Sequence, residues 1–563
     1  MKRIFILSAA ALMVCGCSKM GPLGPENFSV TPQPLEAVGG KVPAVISGKF
    51  PAKYMKKKAV VTVIPELRYE GGSTLGQSQT FQGEKILGND QTVSYKLGAN
   101  YTMRNSFTYV PQMEDSRLWL TFQAKKGKKV VNIPDVEIGY GVLSTSTLLG
   151  RSVYGAQTAT GKDAYQYAIE QSTSAEIKYL ISQSQIRNSE LKTVSIQDFV
   201  KTLRQIKADQ KSFALDNIEV SAYASPDGSM KLNTALAEAR EKTSKKYLQD
   251  QLKQMAFNAP VESKYTAEDW EGFQELVAAS NIQDKDVIIR VLSMYDDPEE
   301  REQQIKNLSA AFKELTDEVL PALRRARLRV NYELIGRSDS EIVDQYKADP
   351  SLLSVEEMLY AATLTEDAQQ QQQILAQTAK QYPNDYRSYN NLAQLAFAQG
   401  DTKKAADYLE KAAGLQSNAQ EVNANKALLA LAQGNVDQAE VLLGQATNAD
   451  NYNDVLGNIC IARGQYKQAQ DVFGKSRTNS AALAQILNKD YAAAQKTLQS
   501  VIHSDATTAY LKAIVAMRTN KESEALTNLR NAIGQDASLK AYAAKDMEFA
   551  SLMGDSSFQS LVK

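Results

Sequence analysis

Gly400-Asp-Thr-Lys-Lys-Ala405-Ala-Asp-Tyr-Leu409-Glu-Lys-Ala412 is followed 34 residues later by Gly434-Asn-Val-Asp-Gln-Ala439-Glu-Val-Leu-Leu443-Gly-Gln-Ala446. Glycine, alanine, leucine and alanine recur in register. A recurrence at this fixed period marks a repeated structural unit. Weaker copies follow as Gly464, Ala469 and Phe473, then Lys489, Ala494 and Leu498, then Asn520, Ala525, Leu529 and Ala532. Their spacings of 30, 25 and 31 residues predict shortened helices. Pro383 is the one proline beyond residue 350, so 350–563 reads as a continuous all-α solenoid.

This pattern resembles the tetratricopeptide repeat. Leu359-Tyr-Ala-Ala-Thr363 through Tyr382-Pro383-Asn384-Asp385 supplies an earlier copy ending in that family's proline, which gives five to six helix pairs. The resemblance implies a concave groove that takes a peptide or helix of a protein partner. Within the region, Cys460 reads as a small core residue, His503 as an isolated surface or packing residue, and the Gln369–Gln373 run as a solvated helix face.

Working outward, 563 residues exceed one hydrophobic core, and 64 basic against 64 acidic residues give no electrostatic basis for coating nucleic acid. With one histidine and three cysteines, Cys15, Cys17 and Cys460, zinc sites and His-based triads are nearly excluded. No nucleophile–base constellation is found, no cofactor is implied, and the chain reads as non-enzymatic. Residues 27–150 alternate in short runs such as Ala59–Ile64, Thr92–Leu97 and Leu118–Phe122, which predicts an antiparallel β-sandwich of about seven to eight strands. Lys125-Lys126-Gly127-Lys128-Lys129 reads as a hairpin tip. Gly155-Ala-Gln-Thr-Ala-Thr-Gly161-Lys162-Asp163 has five residues between its glycines where a phosphate-binding loop has four, and Asp163 where a hydroxyl is needed, so 151–171 reads as a linker.

The middle region predicts a strand with Ile177, Tyr179 and Ile181, a helix with Ile196, Phe199, Val200, Leu203 and Ile206, and a strand at Ile218–Ala222. Then come Tyr223-Ala-Ser225-Pro-Asp227-Gly228, Asn233, Leu236 and Arg240 on a long helix, and a returning strand with Arg324 and Arg325. These residues resemble the OmpA-like peptidoglycan-associating family over 172–336, an α+β domain with a helical insertion near 257–318. The resemblance implies that Ser225, Asp227, Gly228, Asn233, Arg240 and Arg325 bind the zwitterionic end of a stem peptide, which needs a carboxylate for its ammonium and a guanidinium for its carboxylate. Arg240 stands at the family's arginine, but Ser225 stands where the family has its aspartate, and Asp227 is the nearby acid. Residues 337–349 read as a second linker.

At the N-terminus, Lys2 and Arg3 precede the apolar run Ile4–Val14, too short for a ~30 Å bilayer core and therefore a signal peptide, 1–16. Val14-Cys15-Gly16-Cys17 resembles a bacterial lipobox, which implies acylation of Cys17 at the head of a tether, 17–26. The absence of an acidic residue before Glu26 favours the periplasmic face of the outer membrane. Two functions follow. Either the chain couples envelope layers through peptidoglycan and a protein in the repeat groove, or it is a scaffold subunit of an outer-membrane assembly or secretion complex whose middle domain has lost its ligand.

Overall fold

A computed structural model describes residues 20–283, 285–307 and 313–563; the signal peptide and Cys17 lie outside the described residues. The protein is multidomain, with a β-rich N-terminal region and an all-helical C-terminal one. It divides into two compact units. One joins the residues up to Asp163 with Thr365–Lys563, and the other is Ala164–Leu364.

In the first unit, the strands Lys41–Phe50 and Ala99–Thr108 pair antiparallel over their whole length, and Ala59–Tyr69 pairs with Arg117–Lys126. Burial alternates along each, as expected of sheets that face one shared core. Phe50, Phe81, Phe107 and Tyr101 fill that core, with Phe50 and Phe81 meeting edge-on at 5.1 Å. Shorter segments bring the region to twelve strands, where seven to eight were expected. Two pairings are parallel, Gln79–Gly83 with Gln91–Val93 and Val142–Leu143 with Leu35–Glu36, so the region is not wholly antiparallel. The expected strand at Thr92–Leu97 stops at Val93, because the chain turns at Ser94–Gly98 and leaves Leu97 exposed.

The helical part begins with Ala368–Gln381, whose Gln-rich start lies on the surface, and continues as five helix pairs from Tyr386 to Gln535. Ala405, Ala439, Ala469, Ala494 and Ala525 are all fully buried where the helices cross. The five turn positions read from the repeat, Gly400, Gly434, Gly464, Lys489 and Asn520, all have positive φ, between 59° and 78°. Each ends the first helix of its pair in the left-handed conformation; at Gly400, for example, the Gly400 and Asp401 amides donate back to the Phe397 and Ala396 carbonyls. Cys460 is buried in this core, and His503 is exposed in a turn between helices.

The segment 151–171 is structured rather than a linker. Helical turns at Leu149–Ser152 and Val153–Gly155 are followed by an extended stretch to Asp163, and the strand Ala168–Lys178 begins within the second unit. That unit holds one sheet in the order Ala168–Lys178, Arg325–Ile335, Phe213–Tyr223, Val261–Thr266, the last pair parallel and the others antiparallel. Helices Val194–Ala208 and Met230–Gln254 cover it through Ile196, Phe199, Leu203, Ile206, Leu248 and Leu252. Two expectations shift. The first strand ends at Lys178, leaving Ile181 62% exposed, and the expected insertion at 257–318 contains the edge strand Val261–Thr266, so the added helices start only at Trp270. These helices have a separate small core of Phe273, Val277, Ile288 and Leu315. Residues 337–349, expected as a linker, are the helix Asp339–Ala348, started by a Ser338–Glu341 capping box and anchored through Ile342. With a single fully buried side chain, it carries too weak an apolar stripe to be read from sequence. Val355–Ala361, assigned to the first repeat, also belongs to this second unit.

Lys489 is a β-carbon-bearing residue in a conformation that suits glycine. Lys489→Gly is expected to leave stability equal or raise it by up to about 1 kcal/mol, and Gly434→Lys to lower it by about 1 kcal/mol, read from thermal melts.

Candidate functional site

The residues expected to bind a stem peptide lie close together in the second unit, but their charges are turned on the protein itself. Ser225 is buried at the end of Phe213–Tyr223, and its hydroxyl donates to Asp227 Oδ1 at 2.6 Å. Asp227 Oδ2 in turn accepts from Arg324 at 2.8 Å, whose Nε reaches Ser225 Oγ at 3.2 Å. The acid that could have replaced the family's aspartate is thus already neutralised. Gly228 and Asn233 meet through a 2.8 Å hydrogen bond from the Asn233 amide to the Gly228 carbonyl, and the same amide donates to Glu268 at 3.2 Å. Trp270 is half-buried; its indole donates to that Glu268, and its ring meets Phe273 edge-on.

Arg240 is 1% exposed. Its guanidinium donates to the Gln183, Tyr223 and Leu180 carbonyls at 3.0, 2.9 and 3.4 Å and lies over the Tyr179 ring. Burial, with Arg324 nearby, pushes its pKa down to about 10, so it remains a cation at neutral pH. Arg325 is also buried, 3.0 Å from Asp269 and 3.3 Å from Glu176, over the Tyr223 ring. Burial raises the Asp269 carboxyl above its ordinary value despite the arginine. The arginines here tie strand ends to loops.

In the first unit the repeats form a second site that sequence reasoning missed. The face formed by the first helices of the pairs is occupied by residues 142–163 of the same chain. At one end Thr145 hydrogen-bonds Glu548 and Arg151 pairs with Asp536 at 2.6 Å. Val153 and Leu148 are buried, and Tyr154 packs on Phe397. Residues 156–163 then run extended along the groove, read by asparagines. Asn451 donates to the Gln157 carbonyl at 3.0 Å. Asn425 accepts from the Ala159 amide at 2.9 Å and donates to its carbonyl at 2.8 Å, and Asn390 adds a third bond at 3.0 Å. Asn391 makes the same pair of bonds to Gly161, at 2.8 and 3.0 Å. A side-chain amide is both donor and acceptor, so it replaces the partner strand an extended backbone would otherwise need. Ala156, Ala159 and Gly161 fit because the groove is narrow: a β-carbon on Gly161 would lie 2.9 Å from Arg387 Cβ. The signal was present, since Asn391 and Asn425 are one 34-residue period apart and each is followed by an apolar run in the same helix.

Comparison with known proteins bears on the helical part. A family profile described as tetratricopeptide repeat matches residues 396–454. The match covers part of the all-helical C-terminal region, which is tetratricopeptide-like. Among solved structures, a tetratricopeptide repeat protein from Parabacteroides merdae is 12% identical over 42% of this chain and 94% of its own, with TM-score 0.28. A structure titled as a characterisation of Pseudomonas aeruginosa pilF is 15% identical over 40% and 98%, with TM-score 0.25. The type IV pilus biogenesis factor PilW is 11% identical over 40% and 96%, with TM-score 0.25. No curated protein matches the sequence.

Two outcomes follow. Arg240→Ala removes the donor to three part-buried carbonyls and is expected to destabilise the Ala164–Leu364 unit by about 1–3 kcal/mol in denaturant melts, with little rescue by Arg240→Lys, whose single ammonium cannot reach all three. Asn391→Ala leaves the Gly161 amide and carbonyl unpaired at a cost of about 1–3 kcal/mol, and limited proteolysis is expected to open first within 156–163 in that variant.

Proposed function

We propose that this chain is a non-enzymatic scaffold subunit, held on the periplasmic face of the outer membrane by acylated Cys17, in which an OmpA-like middle domain serves structure and not peptidoglycan binding. The observation that carries the reading is the closed state of the clamp. Arg240 is fully committed to backbone carbonyls and Asp227 to Arg324. A stem-peptide carboxylate would have to displace three hydrogen bonds at Arg240, and its ammonium would compete with a buried guanidinium for Asp227. The strand order of the second unit, with the arginine pair opening the returning strand, supports descent from the OmpA-like fold without requiring its ligand.

The array supports a protein partner, since tetratricopeptide repeats are protein-interaction scaffolds. With residues 142–163 on the face formed by the first helices, the partner engages surfaces outside that stretch. Among the described residues, no helix is long and apolar enough to cross a membrane.

Co-sedimentation of the Ser18–Lys563 chain with purified peptidoglycan tests it. Wild type is expected to remain in the supernatant, as is Ser225→Asp while Arg324 is intact; pelleting of wild type that Arg240→Lys abolishes would restore the cell-wall reading. Separately, Cys17→Ser is expected to abolish acyl-chain labelling and release the protein from the membrane fraction.

A further inference from the structure

The turn Lys53-Tyr54-Met55-Lys56-Lys57-Lys58 and the hairpin Lys125-Lys126-Gly127-Lys128-Lys129 are far apart in sequence, and each carries lysine as its only charged residue type. The fold puts them together. The Gly127 amide donates to the Lys58 carbonyl at 3.1 Å, and Ala59 is registered opposite Lys126. Two more loops join the same end of the sandwich. Lys85 donates its amide to the Lys57 carbonyl at 2.7 Å, and the Lys53 amide reaches the Tyr95 carbonyl at 2.6 Å, beside Lys96. In these loops (51–58, 84–90, 94–98, 125–129) ten lysines face two carboxylates, the exposed Asp90 and Glu84, the latter already held by Ser94 at 3.0 Å and by Lys57 at 3.6 Å.

Large apolar side chains stand out among these cations. Leu97 is 83% exposed and Val130 78%, while Leu87 on the neighbouring loop is fully exposed. The cost of leaving them in water is not recovered within the unit, because the helical repeats lie at the other end of the sandwich. There a β-carbon on Gly39 would stand 3.0 Å from the Arg463 carbonyl, and Lys41–Phe50 runs ten residues, about 33 Å, from that end to the lysine loops. The chain also enters at the lysine end, where the Tyr54 hydroxyl donates to the Gly21 carbonyl at 2.9 Å. Cys17 is four residues before Gly21 in the sequence.

We propose that this end of the β-sandwich docks on an anionic phospholipid surface, with the lysines over the headgroup phosphates and Leu97, Leu87 and Val130 dipping into the interface. A point charge on a flexible stem suits phosphates at variable positions, and exposed leucines suit an acyl boundary rather than a folded polyanion. The direction of docking rests on the anchoring reading, which sets Cys17 at this end; the charge and apolar content do not.

The test uses the full mature chain from Ser18, made without acyl groups, and vesicles of phosphatidylglycerol with phosphatidylethanolamine beside vesicles of phosphatidylcholine. Binding is expected to the anionic vesicles only, and to fall as salt rises from about 50 mM to about 300 mM. Replacing Lys125, Lys126, Lys128 and Lys129 together by glutamate is expected to lower the partition coefficient by on the order of a hundredfold or more, at about fivefold per lysine. Leu97→Asp is expected to remove binding that survives high salt. These side chains are exposed, so unchanged melting temperatures show that the variants fold. Absence of binding to anionic vesicles at low salt, binding unaffected by the fourfold charge reversal, or retention on heparin without vesicle binding would each overturn the proposal. Acyl labelling of Cys17 in cells is read independently: labelled protein whose non-acylated form ignores vesicles sinks the docking surface alone, and docking without labelling sinks the anchor alone.

Discussion

The first unit depends on an exchange of hydrogen bonds between asparagine amides and an extended backbone. Residues 156–163 would be an orphan strand in a narrow groove, with peptide groups buried and unpaired, were it not for Asn390, Asn391, Asn425 and Asn451. Those amides in turn would be buried polar groups short of partners without the strand. Each side satisfies the other, and the result joins the β-rich region and the repeats in one compact unit although some two hundred residues separate them in sequence.

Small side chains make this possible. The alanines and Gly161 of the groove segment let the backbone come close enough for short, paired hydrogen bonds. The alanines at helix crossings do the same for the array, where Ala405, Ala439 and Ala469 carry no exposed surface. An inner face so filled is a packed core and not a vacant cleft, which changes where a partner would be sought.

In the second unit the decisive terms are electrostatic. Three arginines, Arg240, Arg324 and Arg325, are almost wholly buried, and each is offset differently: by carbonyls and a tyrosine ring, by Asp227 and Ser225, by Asp269 and Glu176. A buried guanidinium without such partners would be costly, so these groups are held firmly. Residues that in a binding loop would wait for a ligand have found their counter-charges within the domain.

How much of this was legible from sequence differs by region. The 34-residue period showed the repeats and even their five turn positions, because a left-handed helix end and a small crossing residue are demanded locally, at fixed spacing. Alternation showed the long strands, and helical spacing showed Val194–Ala208, since burial on one face imprints the chain directly. The edge strand Val261–Thr266, with no fully buried residue, and the helix Asp339–Ala348, with one, left little imprint and were read as insertion and linker. Residues 156–163 were likewise read as linker, because a strand satisfied by side chains needs small residues and no apolar pattern. Sequence alone thus determined which segments repeat and which faces are apolar, properties set by neighbours within one or two turns. Only the tertiary structure decided that Asp227 belongs to Arg324, that Arg240 is enclosed by carbonyls, that the groove is filled from within and that four distant loops share one lysine-rich end, because each is a contact between residues whose separation along the chain carries no information about their separation in space.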